Sequence, residues 1–359
     1  METQGKEARA ETGTQQGAQS YAQPGAHVGA QQVKERVAVI GAGLMGHGVA
    51  QVFAVAGHQV ILQDVRPEGL DPAVESVRRN LAFLAARGVG DEAAVEATVA
   101  RITTTADMEE AAAAADFVVE CVFEDMGLKQ EIFRVLDACA PREAVLATNT
   151  SVMSITQIAS RAEHRERIVG THFWNPPYLI PLVEVVRGAD TSYATMERAL
   201  SILTAAGKHA VRVEKDVPGF VANRLQHALW REAISIVERG IADAATVDEC
   251  IRYGFGLRLP RLAPLETADM VGLDLTLSIH EYLLPHLEAS PEPSPLLRER
   301  VAAGDLGFKS GRGFQEWTPE AIRASREGLL EYLVGVVKNL DIATAPTESA
   351  APGNNHTKE

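Results

Sequence analysis

"RVAVIGAGLMGHGVAQVFAVAGHQVILQD" runs from Arg36 to Asp64, and its reading decides the architecture. Val37–Ile40 is a short apolar run, Gly41-x-Gly43-x-x-Gly46 follows it directly, and a helical pattern opens on the last glycine. A second apolar run, Gln59–Gln63, ends at Asp64, eighteen positions past Gly46. In a strand–turn–helix–strand unit the first glycine permits the tight turn and the second lets backbone approach a pyrophosphate. The third allows helix and strand to pack closely, while the helix N-terminus offers free amides and a positive dipole end. The three glycines alone are weak evidence; the flanking strand, helix, second strand and acid make the pattern specific. An acid at the end of the second strand can accept from both ribose hydroxyls and repels a 2′-phosphate, so the sequence predicts NAD rather than NADP. The predicted contacts are Gly41, Ala42, Gly43, Leu44, Met45, Gly46 and Asp64, with Arg66 as a solvated neighbour.

Outward from this unit, β-type runs continue at Phe117–Val122, Ala144–Thr148, Ile168–Phe173, Leu182–Val186 and Ala210–Val213, alternating with helical patterns. That alternation predicts an α/β, doubly wound, mostly parallel sheet. A helical insert over about 68–101 lies between the run ending at Gln63 and the one starting at Phe117. Its "ESVRRNLAFLAARG" carries Val77, Leu81 and Leu84 at three-to-four spacing. After Pro218 the pattern changes. "PGFVANRLQHALWREAISIVERG" places Val221, Leu225, Leu229 and Ala233 on one helical stripe, with Gly240 as its stop. No strand is expected from there to about residue 320. The domain expectation is therefore a disordered arm over 1–34, a dinucleotide-binding domain over 35–216, an all-α domain over 217–320, a terminal helix over 321–342 and a disordered tail over 343–359. The two ends hold few large apolar side chains and cannot bury enough surface to offset the entropy of ordering.

The formal net charge of −14 argues against a nucleic-acid partner. No apolar run approaches the ~20 residues that span a bilayer, and the N-terminal segment has neither the apolar stretch of a secretory signal nor the basicity of a mitochondrial one. Cys121, Cys139 and Cys250 form no CxxC pair. That usage fits a reducing compartment, and the cytoplasm is expected by default. Nothing points to a metal.

Four further segments look like working parts: "ATNTSVMSI" (147–155), "GTHFWNPPYLIPLVEVV" (170–186), "KDVPGFVANRL" (215–225) and "GFKSGRGF" (307–314). In order and approximate spacing the set closely resembles the 3-hydroxyacyl-CoA dehydrogenase family, over about residues 35–320. The resemblance implies His172 as a general base, with Glu184 as the carboxylate that orients it. It implies Ser151 and Asn223 as the hydroxyl and amide that hold the substrate oxygen. Those roles match physical need. Oxidising an alcohol requires a group near neutral pH to remove the hydroxyl proton, and donors that stabilise a developing alkoxide. Ser151 also precedes "VMSITQIA", which reads as a helix, so N-capping is an alternative role for it. The resemblance adds Glu124, Lys129, Asn175 and Lys309 as cofactor contacts. It implies a homodimer formed through the helical domain.

In the family the helical insert meets the nucleotide of coenzyme A. Counting from Asp64 without gaps, Asn80 and Arg87 fall on the contacting positions, and Arg78 and Arg79 add local positive charge. The predicted function is thus NAD-dependent oxidation of a short-chain 3-hydroxyacyl-CoA, a step of fatty acid metabolism. Two departures stand out: Trp174 followed by two prolines, and Ala263-Pro264-Leu265-Glu266 in place of Gly-Pro-Phe-Glu. Similar features occur in relatives acting on carnitine, L-gulonate or a pyridine carboxylate, so a hydroxy acid without coenzyme A is the alternative substrate.

Overall fold

The computed structural model describes residues 34–339, so the arm expected over 1–34, its last residue apart, the end of the helix expected over 321–342 and the tail expected over 343–359 lie outside the described residues. Eight strands form one sheet: β1 (Arg36–Ile40), β2 (Gln59–Gln63), β3 (Ile102–Thr105), β4 (Phe117–Glu120), β5 (Val145–Thr148), β6 (Ile168–Phe173), β7 (Leu182–Val186) and β8 (His209–Val213). Their spatial order is β3-β2-β1-β4-β5-β6-β7-β8. Every neighbouring pair is parallel except β6 with β7, which run antiparallel.

β1 shows why the sheet sits in the middle. Val37 and Val39 face one apolar cluster while Ala38 and Ile40 face the other, and all four are at most 1% exposed. A strand buried on both faces reads as a continuous apolar run rather than an alternating one. One cluster is closed by α1 (Leu44–Val55), α2 (Leu70–Ala85) and α7 (Tyr193–Ala205), the other by α4 (Met108–Ala113), α5 (Met126–Cys139) and α6 (Ile155–Ile158). A short α3 (Val95–Val99) completes the insert. Chain order reverses direction between β1 and β4, the place where open α/β sheets bind ligands at their carboxyl ends.

Two sequence expectations need correction here. The insert does not lead straight to the strand at Phe117; β3 intervenes as the sheet edge. Its Ile-Thr-Thr-Thr turns only Ile102 fully inward, so no apolar run announces it. The strand expected to reach Val122 stops at Glu120, whose side chain folds back to accept the Val122 N–H at 2.7 Å.

Beyond β8 the described chain is helical: α8 (Ala222–Glu238), α9 (Ala244–Tyr253), α10 (Pro264–Val271), α11 (Leu273–Leu283), α12 (Pro295–Ala302) and α13 (Pro319–Asn339). Gly240 ends α8 with φ 65°, the left-handed stop that glycine tolerates best. This region keeps many large apolar side chains in solvent, including Leu225, Leu257, Leu265, Leu273, Leu277 and Tyr282. α13 returns to the insert: Leu330, Leu333, Val334 and Val337 pack with Leu84 and Leu179, and Glu331 pairs with Arg87. Among the described residues no helix is long and apolar enough to cross a membrane.

Candidate active site

The glycine turn meets the physical test for a dinucleotide cradle. Gly41 has φ 98°, and a Cβ there would lie 2.9 Å from the Cys121 carbonyl oxygen. A Cβ on Gly46 would lie 1.7 Å from the Gly41 carbonyl oxygen, so helix and strand are packed as closely as glycine allows. Around Gly43 a Cβ would meet nothing within 4 Å, which leaves the middle of the turn open to an approaching phosphate. α1 starts at Leu44 with no side chain capping its first turn, so its amides are available to an anion. Asp64 stands at the end of β2, where one carboxylate oxygen accepts the Ala42 N–H and the other the Arg66 N–H, both at 3.0 Å. Arg66 itself is 63% exposed at the side chain, with its Nε 3.5 Å from Asp64.

A cleft of about 400 Å³ opens beside this turn, within the range of small-ligand sites. Six residues singled out from sequence line it: Met45, Glu124, Ser151, His172, Asn175 and Asn223. They come from five separate stretches of chain. The β6–β7 register sets His172 directly across from Glu184. His172 Nδ1 lies 2.9 Å from Glu184 Oε2, and both side chains are at most 5% exposed. The other oxygen of Glu184 accepts the N–H groups of Val221 and Ala222, at 2.9 and 3.1 Å. Burial pushes the Glu184 carboxyl up, but the bonds from His172, Ala222 and Val221 outweigh it and hold the group below the usual carboxylate range. A carboxylate only accepts, so Nδ1 carries the hydrogen and Nε2 keeps the lone pair. The arrangement can therefore take up a proton at Nε2 and stabilise the resulting imidazolium.

Asn223 is the second residue of α8 and donates its Nδ2 to the Ser151 carbonyl oxygen at 2.9 Å, joining the helical region to the loop after β5. The Ser151 amide in turn donates to Glu124 at 2.6 Å. The capping role weighed for Ser151 belongs instead to Ser154, which accepts the Gln157 N–H at the start of α6. Among the described residues the Ser151 hydroxyl has no hydrogen-bond partner.

Other sequence-chosen residues are placed away from the cleft lining. Lys129 is 1% exposed, with its ammonium 2.7 Å from Glu120 and 3.5 Å from Glu124. It sits behind the wall and holds the acid that lines it. Lys309 is exposed on a turn after α12. Asn80 donates to Gln51 of α1 at 3.1 Å. Arg87 is held by Glu331, and Arg78 by both Glu75 and Glu96.

Sequence reasoning missed Gln226, His227 and Trp230, which line the same cleft. They stand three, four and seven positions after Asn223, so a helical-face count from that residue would have found them. Trp174, noted only as a departure, is also in the wall. Its ring centroid is 5.2 Å from that of His172, and its indole Nε1 is buried without a partner among the described residues. Cys121 lines the cleft too, and burial beside Glu120 pushes its thiol above the usual thiol range.

The chain is similar to known proteins over most of its length. Residues 36–217 match the description "3-hydroxyacyl-CoA dehydrogenase, NAD binding domain", and residues 219–317 match the C-terminal domain of the same family. The chain is similar to 5-formyl-3-hydroxy-2-methylpyridine 4-carboxylate 5-dehydrogenase of Mesorhizobium japonicum, at 34% identity over 83% of this chain and 96% of that one. It is 40% identical to a probable 3-hydroxybutyryl-CoA dehydrogenase of Bacillus subtilis, over 77% of this chain and 95% of the other. A crystal structure of the pyridine-carboxylate enzyme, described as an NAD+ dependent dismutase, superposes with a TM-score of 0.78 at 32% identity, covering 86% of this chain and 99% of that one. The (S)-3-hydroxybutyryl-CoA dehydrogenase of Ralstonia eutropha gives 0.66 at 34% identity, covering 79% and 99%. The chain belongs to the 3-hydroxyacyl-CoA dehydrogenase family, and NAD is its cofactor.

Proposed function

We propose that the chain oxidises a secondary alcohol beside a carboxyl-derived group, with His172 as general base. The observation that carries this is the buried His172–Glu184 pair at 2.9 Å, opening on a cleft that the glycine turn also borders. Nε2 of His172 takes the hydroxyl proton as the alcohol becomes a carbonyl. Glu184 keeps Nδ1 protonated and stabilises the imidazolium that forms. The Ser151 hydroxyl and the Asn223 amide hold the substrate oxygen, with Trp174 and Trp230 as the aromatic part of the wall. NAD, when bound, would supply the hydride acceptor; Gly41–Gly46, Asp64, Glu124 and Asn175 would hold it, with Lys129 fixing Glu124 from behind.

The first substrate reading is a short-chain 3-hydroxyacyl-CoA, which the family and the Bacillus relative support. A specific observation favours the second, a compact acid without coenzyme A. Asn80, Arg78 and Arg87, three of the insert's groups that could meet a nucleotide phosphate, are each engaged by protein partners, which leaves Arg79, bonded only to the Ser76 hydroxyl, as the cation without a carboxylate. NADH formation measured with 3-hydroxybutyryl-CoA beside 3-hydroxybutyrate, carnitine, gulonate and a formyl-hydroxypyridine carboxylate, the last reacting as its aldehyde hydrate to give the acid, separates the two. Turnover confined to the thioester supports the first reading, turnover confined to the free acids the second, and no NADH from any of them rejects the dehydrogenase. The exposed Val221, Leu225 and Leu229 stripe on α8, continuous in sequence with a helical region rich in exposed leucines, supports a homodimer. Light scattering on the full chain measures it.

A further inference from the structure

Phe220 is the one non-glycine residue with a positive φ among the described residues, at 50°. It follows Gly219, also left-handed at 76°, so two consecutive residues bend the chain sharply between the sheet and α8. A bulky side chain in that region is disfavoured and persists only where its surroundings impose it. Here they do. The Phe220 ring is 1% exposed, and its centroid stands 5.7 Å from that of His172. The Phe220 N–H closes the turn on the Val217 carbonyl oxygen at 3.0 Å. The next two amides, Val221 and Ala222, are the ones that Glu184 accepts, and the residue after them is Asn223, bonded to Ser151. Four consecutive residues thus touch the imidazole, its carboxylate twice, and the loop that carries the serine.

We propose that Phe220 is a positioning residue: its strained turn docks the start of the helical region onto the His172–Glu184 pair, so that assembling the base and docking that region are one event. The inference rests on the reading of His172 as the base. The ring packs against the imidazole from outside the cleft lining, and the turn aims two N–H groups at Glu184 Oε1, leaving Oε2 free for Nδ1–H. Phe220 itself touches no reacting atom. A turn without the ring relaxes toward ordinary φ values and withdraws the two amides.

The test compares F220L and F220Y with the unaltered full chain. In ¹⁵N-histidine NMR with NAD bound, the unaltered protein and F220Y are expected to show a slowly exchanging Nδ1–H on His172, and F220L to lose it. With 3-hydroxybutyryl-CoA and 3-hydroxybutyrate as probes, kcat should fall about ten- to a hundredfold in F220L, the loss expected of misplacement near 1 Å. NAD affinity should stay within about twofold, and F220Y should recover most of the activity. Should F220L not fold, F220M carries the same comparison. An F220L protein with the Nδ1–H signal and kcat intact overturns the proposal, as does one whose NAD affinity falls in step with kcat. H172Q tests the underlying reading separately: full turnover in H172Q would reject the base whatever Phe220 does.

Discussion

Replacing Glu184 by glutamine changes one atom and tests the whole arrangement of charge at the cleft. Both oxygens of Glu184 act as acceptors, Oε2 toward His172 and Oε1 toward the Val221 and Ala222 amides. A glutamine has one oxygen. If that oxygen faces the two amides, the NH₂ faces Nδ1, which must then be unprotonated, and the hydrogen moves to Nε2 where the base is needed. If the oxygen faces His172, the NH₂ points at two N–H donors. The first arrangement loses a charge-assisted hydrogen bond worth about 1.5–3 kcal/mol and puts the proton on the wrong nitrogen; the second loses the same bond and leaves buried donors unpaired at about 1–3 kcal/mol. For the second these amount to about 2.5–6 kcal/mol, and at about 1.36 kcal/mol per tenfold the expected loss in kcat/KM lies around 10²–10⁴-fold. The same span is typical of losing a general base. NAD affinity is expected to hold, because Glu184 does not border the glycine turn. The assay is initial NADH formation beside an NAD titration. An E184Q enzyme within tenfold of the unaltered kcat/KM, with its fold intact, would refute the reasoning. Acid stability gives a second reading: the folded carboxyl titrates below its ordinary value of about 4.3. Its contribution is therefore complete above that value and is lost as pH falls through the folded one. E184Q should lack that part of the acid-side decline in a urea series.

Three other outcomes follow from particular contacts. D64S removes the anion at the end of β2 while leaving the exposed Arg66 beside it, so preference for NAD over NADP should fall about ten- to a hundredfold, read from paired kcat/KM values. Burial pushes the Lys208 ammonium down to about 7, where its Nζ donates to the carbonyls of Pro177 and Ile180. The unfolded chain stays protonated to about 10.4, so the cost of the buried charge is full below pH 7 and is relieved as pH rises toward 10. Stability of the unaltered protein relative to K208M should climb across that range in urea midpoints; a flat difference would contradict it. W174F keeps a ring and deletes the unpartnered indole N–H. If substrate or cofactor supplies its acceptor, kcat/KM drops about ten- to a hundredfold; unchanged kinetics would make Trp174 packing alone.

Much of this was legible before any coordinates, and the gaps have physical causes. β1, β2, β6 and β7 are buried on both faces or bound the glycine turn, so their residues carry an unmistakable apolar signal, and their limits differ from the expected ones by at most a residue. β3 escaped because an edge strand needs only one inward residue, and its three threonines look like a loop. In the site, His172 and Glu184 were legible from a resemblance of motif. What could not be read was who occupies each charge. Arg87 looked free for a phosphate, yet its partner Glu331 comes 244 positions later. The capping function moved from Ser151 to Ser154 because α6 starts three residues later than its pattern suggested. Gln226, His227 and Trp230 went unseen because α8 was read for its apolar stripe rather than for the face beside Asn223.

The return of α13 to the insert has a consequence for biogenesis. Leu84 gains the last of its cover, and Arg87 its ion-pair partner, only when residues around 331 exist, 244 positions downstream. At ~5–20 residues per second of translation, the insert waits about 10–50 s for that helix, with only the nearer Leu179 and Tyr178 to pack against. The insert's final stability is thus set by a stretch of chain made long after its own residues.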